Sequence, residues 1–268
     1  MSRSKKLIKL KKIISGMKSA VLAFSGGVDS TFLLKAASLV LPKDKLLAVT
    51  ACSPTYTKEE LECAKGTASA FGVRHQVIKT YELNDKRFAS NPVNRCYYCK
   101  SELFAKLKKI AKDKKLNFVV DASNVSDLSD YRPGAKAKKQ LGVRSPLQEA
   151  GLSKDEIRYL SKKLGLKDWN KPALACLASR VPYGKEISAA LLTRINKAEQ
   201  YIRSLGFPEV RVRHYNGLCR IEVARDNIAS LSRRRDKIID KLKKLGYNYI
   251  TLDLEGYRTG SLNEGIKK

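Results

Sequence analysis

A strand that runs directly into a glycine-rich turn is the feature that most constrains the fold of this chain. Residues 19–24 form an apolar run, positions 25–30 read Ser-Gly-Gly-Val-Asp-Ser, and a helical pattern follows to about residue 40. Strand and helix signals then alternate, with strands predicted at 45–51, 73–78 and 117–121 and helices at 57–71, 98–112 and 153–164. The last of these helices begins with the spacing of a capping box at 153–156. This alternation predicts a parallel sheet whose faces are covered by helices.

The pattern changes near residue 171, where Pro172, Pro182 and Gly184 flank a segment that is neither clearly helical nor clearly extended. The elements predicted beyond it are a helix at 188–205, strands at 210–214 and 218–223 joined by an Asn-Gly turn, a basic helix at 226–245 and a strand at 249–254. The sequence therefore predicts an α/β protein with a smaller, helix-backed antiparallel α+β domain. The predicted boundaries are 1–170 for the first domain, 171–184 for the junction and 185–268 for the second domain.

The turn at 25–30 has the chemistry of a phosphate-binding loop. Gly26 and Gly27 let the backbone approach a phosphate closely, and the following helix presents unpaired N–H groups at its positive end. Ser25 and Ser30 add hydroxyl donors, whereas the Asp29 carboxylate suits a metal ion or an orienting role. The loop lacks the lysine of a Walker A motif, so a P-loop NTPase is not predicted.

Charge bears on the possible partners of the chain. The 268 residues carry 54 Lys and Arg against 26 Asp and Glu, a net charge of +28, which favours phosphate-rich partners. Most of the lysine clusters are typical of solvated helix faces, and neither zinc-ribbon pairs nor an RNA-binding signature is present, so nucleic acid is not the expected partner. No uncharged apolar run reaches the ~18 residues of a membrane span.

Six cysteines are too few for a disulfide scaffold, and without a visible secretory signal they indicate a reducing, cytoplasmic setting. Cys96 and Cys99 form a CxxC pair, which alone is compatible with zinc, an iron–sulfur cluster, redox chemistry or chance. Cys176 lies in the irregular junction, and three thiolates would hold three irons of a [4Fe-4S] cluster and leave the fourth iron open. The other three cysteines are predicted to be core residues: Cys52, Cys63 and Cys219.

The loop resembles the PP-loop of the ATP pyrophosphatase superfamily, whose members cleave ATP between the α and β phosphates and adenylate an oxygen of the substrate. Further segments narrow the resemblance to the LarE family. They are residues 130–134, 145–147, 149–152, 169–173, 176–184 and 256–261. The resemblance implies a PP-loop domain (adenine nucleotide α-hydrolase-like) and an ATP-dependent sulfur transferase of nickel-pincer nucleotide synthesis. The implied substrate is pyridinium-3,5-biscarboxylic acid mononucleotide, whose carboxylates become thiocarboxylates.

Two sulfur sources occur in the family, and the cysteines decide between them. In one type a cysteine matching Cys176 gives up its own sulfur and becomes dehydroalanine. In the other type three cysteines bind [4Fe-4S], and the open iron carries a hydrosulfide. Cys96, Cys99 and Cys176 are all present, so the chain resembles the cluster type. The implied cofactors are ATP, Mg²⁺ and the cluster; the sulfide source stays open, and the family implies a homo-oligomer, a hexamer.

Charged residues near these motifs complete the predicted site. Asp29 is the first candidate to bind Mg²⁺, followed by Asp127 and Asp130. Lys100 and Arg180 are expected to steer anions toward the cysteines. Arg211 and Arg213 are expected to bind the substrate phosphate from one face of a strand. Glu199 and Glu222 offer an additional metal site, but they are expected instead to be a solvated helix residue and a strand residue. One departure is Asp121-Ala122-Ser123-Asn124, where relatives commonly have Gly-Thr-Asn. The alternatives are a tRNA thiolation enzyme and a non-catalytic, cluster-bearing nucleotide sensor.

Overall fold

The computed structural model of the chain describes residues 1–129, 133–171, 175–258 and 260–264. The chain divides into two compact units, Met1–Asp85 with Asn94–Leu174, and Lys86–Val93 with Ala175–Lys268. The helices are α1 (Arg3–Met17), α2 (Val28–Ser38), α3 (Lys58–Ala70), α4 (Lys86–Ala89), α5 (Arg95–Asp113), α6 (Gly134–Gln140), α7 (Pro146–Glu149), α8 (Lys154–Lys163), α9 (Ala189–Ser204), α10 (Ile228–Ser232) and α11 (Arg235–Lys244). The strands are β1 (Ala20–Ala23), β2 (Leu46–Cys52), β3 (Arg74–Lys79), β4 (Phe118–Val120), β5 (Val210–Tyr215), β6 (Leu218–Val223) and β7 (Tyr249–Leu252).

The first unit contains a parallel sheet in the order β3-β2-β1-β4, which confirms the predicted fold class. Along β1, Val21 packs on one face with Phe104 of α5, whereas Leu22 packs on the other face with Phe32 of α2. Both faces are therefore buried under helices, as the apolar strand sequences require. Because the strands are parallel, the loops after β1, β2 and β4 meet at one edge, the usual place for a ligand.

The second unit contains a three-stranded sheet in the order β5-β6-β7. The β5–β6 hairpin turns at Asn216 and Gly217, which have φ of 45° and 88°, as a type I′ turn requires. β7 pairs parallel to β6, so the predicted antiparallel sheet is wrong for this strand. The chain between β6 and β7 includes α10 and α11, which is long enough for a crossover that returns in the same direction.

The basic segment 226–245 also differs from the prediction of one helix. It contains two helices, α10 and α11, separated at Arg233 and Arg234. Leu231 before the break and Ile238 after it are both buried in the core of the second unit. Within the described ranges, no helix is long and apolar enough to cross a membrane.

Candidate functional site

The phosphate loop lies at the carboxyl edge of the parallel sheet, between β1 and α2. Gly27 occupies the N-cap of α2, and no side chain caps the first turn, so that turn is left to its backbone N–H groups. The hydroxyls of Ser25 and Ser30 are 3.2 Å apart, and Ser30 Oγ donates to the Gly27 carbonyl at 3.0 Å. The loop therefore combines two hydroxyls with a helix N-terminus, as a phosphate site needs.

Gly26 fits this loop for a steric reason. Its φ of +68° lies in the left-handed region, and a Cβ at this position would meet Ala64 of α3 at 3.3 Å. Only glycine satisfies both conditions without strain, because other residues disfavour this φ and α3 leaves little room. The close approach of α3 thus fixes the path of the loop.

Asp29 is held in the first turn of α2 by a partner that the sequence analysis did not identify. Lys154 Nζ, at the start of α8, lies 2.6 Å from Asp29 Oδ2. The sequence predicted a capping box at residues 153–156, which the structure confirms. That pattern predicts the start of a helix and gives no sign that Lys154 lies beside the phosphate loop. The Lys154 ammonium therefore offsets the charge of the Asp29 carboxylate beside the loop.

We expect Lys154→Met to lower kcat/KM for ATP about 10-fold, because a charge-assisted hydrogen bond contributes roughly 1.5–3 kcal/mol. The magnesium concentration for half-maximal activity should fall, since Asp29 then has one cation fewer beside it. Steady-state pyrophosphate release at varied ATP and Mg²⁺ measures both effects. Lys65→Met is the control, because Lys65 is 46% exposed and pairs with exposed Glu62. Equal kinetics in the two variants would contradict a role for Lys154 at the loop.

The other two residues proposed as magnesium ligands are Asp127 and Asp130. Asp127 Oδ2 accepts a hydrogen bond from the Asn124 backbone N–H at 2.9 Å, an arrangement that stabilises the turn after β4. Asp130 lies outside the described residues. Asp121 accepts hydrogen bonds from the hydroxyls of Ser123 and Ser145 and lies 3.7 Å from Lys138 Nζ. These side chains stabilise the chain that follows the carboxyl end of β4.

The cysteine pair lies within a helix and not before it. α5 begins at Arg95, so Cys96 and Cys99 occupy its first turn at i, i+3 spacing, which puts both thiols on one face. Cys96 is exposed and Cys99 half-buried. Lys100 packs against Gly134 of α6, where a Cβ would meet Lys100 Cγ at 2.9 Å, and its ammonium lies 5.5 Å from the Phe104 ring centre. Its stem therefore packs between two helices.

Cys176 belongs to the second unit, immediately before a 3-10 turn at Leu177–Arg180, and is exposed. All six cysteines lie in the described ranges, and none forms a disulfide. Over those ranges, no three His, Cys, Asp or Glu side chains gather as a metal-binding group. The donor chemistry nevertheless fits an iron–sulfur cluster, because accessible, reduced thiols are the ligands such clusters require.

The turn that carries Cys176 is held by a buried arginine. Arg180 is 3% exposed, and its Nη1 donates to the carbonyls of Ala175 at 2.6 Å and Cys176 at 3.2 Å. Its Nε and Nη2 donate to Glu199 Oε1 and Oε2 at 2.8 and 3.0 Å, a bidentate pair. Arg180 therefore fixes the backbone on both sides of the Cys176 side chain while Glu199 fixes Arg180.

A second buried pair supports the same turn from β5. Arg213 donates to both carboxylate oxygens of Glu222, at 2.9 and 2.8 Å, and to the Ser179 carbonyl at 2.7 Å. Arg211 lies on the same strand face, as predicted, and is 6% exposed, with its guanidinium 5.1 Å from the Tyr257 ring centre. Both arginines therefore lie on one face of the strand, as predicted, but their side chains are buried rather than exposed to solvent.

The expectation of a solvated Glu199 is wrong, and Glu222 proves to be a fully buried strand residue; they are 1% and 0% exposed. Burial alone would raise the pKa of Glu199, but the Arg180 guanidinium, helped by Arg211, holds it below its ordinary value. Burial lowers the pKa of Arg211, and the nearby Arg180 charge adds to that effect. The sequence pattern did not reveal that these two carboxylates are buried. A glutamate among the apolar residues of a helix or a strand gives no sign of the arginine that pairs with it.

We expect Glu199→Gln to lower the free energy of unfolding by about 3 kcal/mol, because it leaves Arg180 buried without its counter-charge. The wild-type contribution is present above the ordinary Glu pKa of 4.5 and is lost as the pH falls, since the pKa is depressed in the folded state. Denaturant unfolding at pH 7 and pH 4 measures both effects. Glu62→Gln, which breaks an exposed pair, should change stability by less than about 1 kcal/mol. Equal losses in the two variants would refute this account.

Only one of the cysteines predicted for the core is buried. Cys219 is fully buried, and burial raises the pKa of its thiol to about 12. Cys52 and Cys63 are half-buried, so the core prediction is wrong for them. Cys52 ends β2 at the open edge of the sheet, and the Cys63 thiol lies 3.1 Å from the Lys171 ammonium. Cys52 therefore ends a strand, and Cys63 contacts a charged side chain from α3, so an apolar sequence context did not bury either thiol.

The chain is similar in sequence to several known proteins. The NAD synthase family model matches residues 1–98, which include the phosphate loop. The chain is 38% identical over 255 residues to the pyridinium-3,5-bisthiocarboxylic acid mononucleotide synthase of Lactiplantibacillus plantarum, covering 95% of this chain and 92% of that protein. It is 43% identical over 265 residues to an uncharacterised protein of Synechocystis sp., and 30% identical over 259 residues to one of Methanocaldococcus jannaschii, each covering 98% of the relative and at least 95% of this chain.

Proposed function

Because the chain belongs to the LarE family of PP-loop proteins, which makes it an enzyme with ATP-dependent activity, we propose that it is a sulfur transferase. Its substrate is pyridinium-3,5-biscarboxylic acid mononucleotide, and its products carry thiocarboxylates. The observation that carries the proposal is the exposed Cys176, held on a turn whose carbonyls are fixed by buried arginines. A rigidly held, accessible sulfur position is what a transfer to a bound acyl group requires.

The first step is activation of a carboxylate, whose oxygen is a poor leaving group. The carboxylate oxygen attacks the α-phosphorus of ATP, pyrophosphate leaves, and the acyl-adenylate that forms has AMP as its leaving group. Ser25, Ser30 and the N–H groups of α2 bind the departing pyrophosphate. Asp29 would hold Mg²⁺, which would offset the charge of the triphosphate when bound, and the Lys154 ammonium adds positive charge beside it. Asp127 and Asp130 remain secondary proposals for the metal.

The second step replaces AMP by sulfur at the acyl carbon. Cys96, Cys99 and Cys176 would hold a [4Fe-4S] cluster, which supplies the sulfur when it is bound. Arg180 acts by positioning, since its guanidinium is engaged by Glu199 and by the backbone around Cys176. Lys100 is proposed to attract anions toward the cysteine pair at the start of α5.

The experiment is performed on protein purified without oxygen. Iron and acid-labile sulfide are measured per chain in the wild type and in Cys96→Ala, Cys99→Ala and Cys176→Ala. We expect near-stoichiometric cluster in the wild type and loss in each variant. A wild type that stays free of iron after reconstitution would contradict the cluster, and a loss of one H₂S from Cys176 after turnover would then identify the sacrificial route.

A tRNA thiolation enzyme is not favoured, because a relative that the chain matches over 92% of its length is named as the synthase of a mononucleotide. Turnover of ATP to AMP and pyrophosphate would exclude the nucleotide sensor. The homo-hexamer and the cytoplasmic location stay predictions from the resemblance and from cysteine usage; light scattering of the purified protein tests the former.

A further inference from the structure

A cleft of about 500 Å³ opens in the second unit and is lined by residues of that unit, whereas the phosphate loop belongs to the first. Its lining includes the tyrosines Tyr183 and Tyr215, the arginines Arg213 and Arg220, and Ser261 and Glu264. Its volume lies within the range of about 300–1,000 Å³ that small-molecule sites occupy. The roles described above use only Arg213, so the remaining lining residues have no assigned function.

Arg220 is the basic residue of the cleft that stays accessible to a ligand. Its side chain is 34% exposed, its Nη2 donates to Glu222 at 3.0 Å, and its Nε lies 3.3 Å from Asp253 Oδ2. Within the described part of the chain, its Nη1 makes no hydrogen bond. These two carboxylates hold the guanidinium in one orientation while one edge remains available, which suits a phosphate.

The aromatic side chains give the cleft a surface for a planar ring. The Tyr183 hydroxyl donates to Asn263 Oδ1 at 3.0 Å, which fixes that ring, and Tyr215 is 38% exposed beside Arg220. Electron-rich tyrosine faces attract a cationic ring such as pyridinium. Glu264 also lines the cleft, but Arg258 donates to both of its carboxylate oxygens at 3.1 Å, so it adds little repulsion toward an anion.

Arg213 connects this cleft to the sulfur position. It lines the cleft, donates to Ser261 Oγ at 2.8 Å and also holds the Ser179 carbonyl in the turn that follows Cys176. A ligand in the cleft therefore lies against the same guanidinium that fixes the Cys176 turn. This juxtaposition is what a substrate needs if its ring carboxylates are to receive sulfur at that turn.

We propose that this cleft binds the pyridinium mononucleotide substrate, with its ring against Tyr183 and Tyr215 and its phosphate on Arg220. The inference rests on the proposed function and assigns the substrate phosphate to Arg220 in place of Arg211, which is buried against Tyr257. Arg213 orients Ser261 in the lining of the cleft and also holds the turn that follows Cys176.

The test is a calorimetric titration of the full-length protein with nicotinic acid mononucleotide, a pyridinium mononucleotide with one ring carboxylate. We expect Arg220→Gln and Tyr215→Ala each to raise Kd at least about 10-fold. Arg220→Lys should raise Kd less, because lysine keeps the positive charge but lacks the paired N–H donors of a guanidinium. The controls are Arg235→Gln and Tyr249→Ala, which change an exposed arginine and an exposed tyrosine outside the cleft. Thermal unfolding checks that each variant is folded.

A wild type that does not bind the probe, or cleft variants that bind as the controls do, would overturn the proposal. Sulfur transfer is assayed in parallel, and Arg220→Gln should raise KM for the biscarboxylic substrate while KM for ATP is unchanged. Probe binding that depends on Arg220 without any thiocarboxylate product would refute the proposed function but not the cleft. Product formation that is unaffected by Arg220→Gln would refute the cleft but not the function.

Discussion

Cys176→Ala is expected to reduce thiocarboxylate formation to background while ATP is still converted to AMP and pyrophosphate. The two steps use different residues: the phosphate loop belongs to the first unit, and Cys176 to the second. The alanine variant keeps the backbone that Arg180 and Arg213 hold, because both donate to backbone carbonyls of the turn, which the substitution leaves in place. The loss is therefore one of sulfur chemistry rather than of folding. Product is measured by mass spectrometry and pyrophosphate by a coupled assay.

Cys52→Ala is the matched control, because Cys52 is also partly exposed and lies at the sheet edge. It should retain product formation within about 2-fold, since no step of the proposed chemistry uses this thiol. Thiocarboxylate formation by Cys176→Ala at the wild-type rate would show that the sulfur does not depend on this residue under either sulfur-transfer route.

Gly26→Ala should lower kcat/KM for ATP about 100-fold. The added methyl group would meet Ala64 at 3.3 Å while the residue keeps a φ of +68°, so the loop must move away from α3. Displacement of a positioning group by about 1 Å costs about 100-fold in rate, because the pyrophosphate is no longer aligned with the loop. Initial rates of pyrophosphate release at varied ATP measure the effect.

Gly142→Ala is the control that separates the effect of the contact between the loop and α3 from the effect of backbone strain. Gly142 has nearly the same φ, +62°, but among the described residues other than its two chain neighbours, no atom lies within 4 Å of the position of a Cβ. It should lose about 1–2 kcal/mol of stability, as non-glycine residues do in the left-handed region, and keep its activity. If both glycine variants lose activity equally, the contact of the loop with α3 has no special role.

The parts of the fold that sequence alone predicted are those fixed by local rules. The strand–loop–helix at the phosphate site, the capping box at Ser153 and the Asn216-Gly217 hairpin all depend on residues within a few positions of one another. Their φ values, capping oxygens and apolar periods are properties of short segments. Local consistency of this kind made the parallel sheet predictable before any coordinates were known.

The parts that sequence missed depend on contacts between distant segments. Lys154 meets Asp29 across 125 positions, and Arg213 meets Ser179 across 34. Nothing in the local sequence around Glu199 or Glu222 shows that each is paired with a buried arginine. The segment Lys86–Val93 belongs to the second unit although the chain on both sides of it belongs to the first, which only tertiary contacts reveal.

The most direct test of the account is a single-turnover reaction of oxygen-free protein with ATP, Mg²⁺ and pyridinium-3,5-biscarboxylic acid mononucleotide. The substrate, the products and AMP are quantified together by mass spectrometry. The account predicts a thiocarboxylate product with one AMP released for each sulfur transferred, and no product when ATP is omitted. AMP formation without any sulfur-containing mononucleotide, or sulfur transfer without ATP, would contradict it.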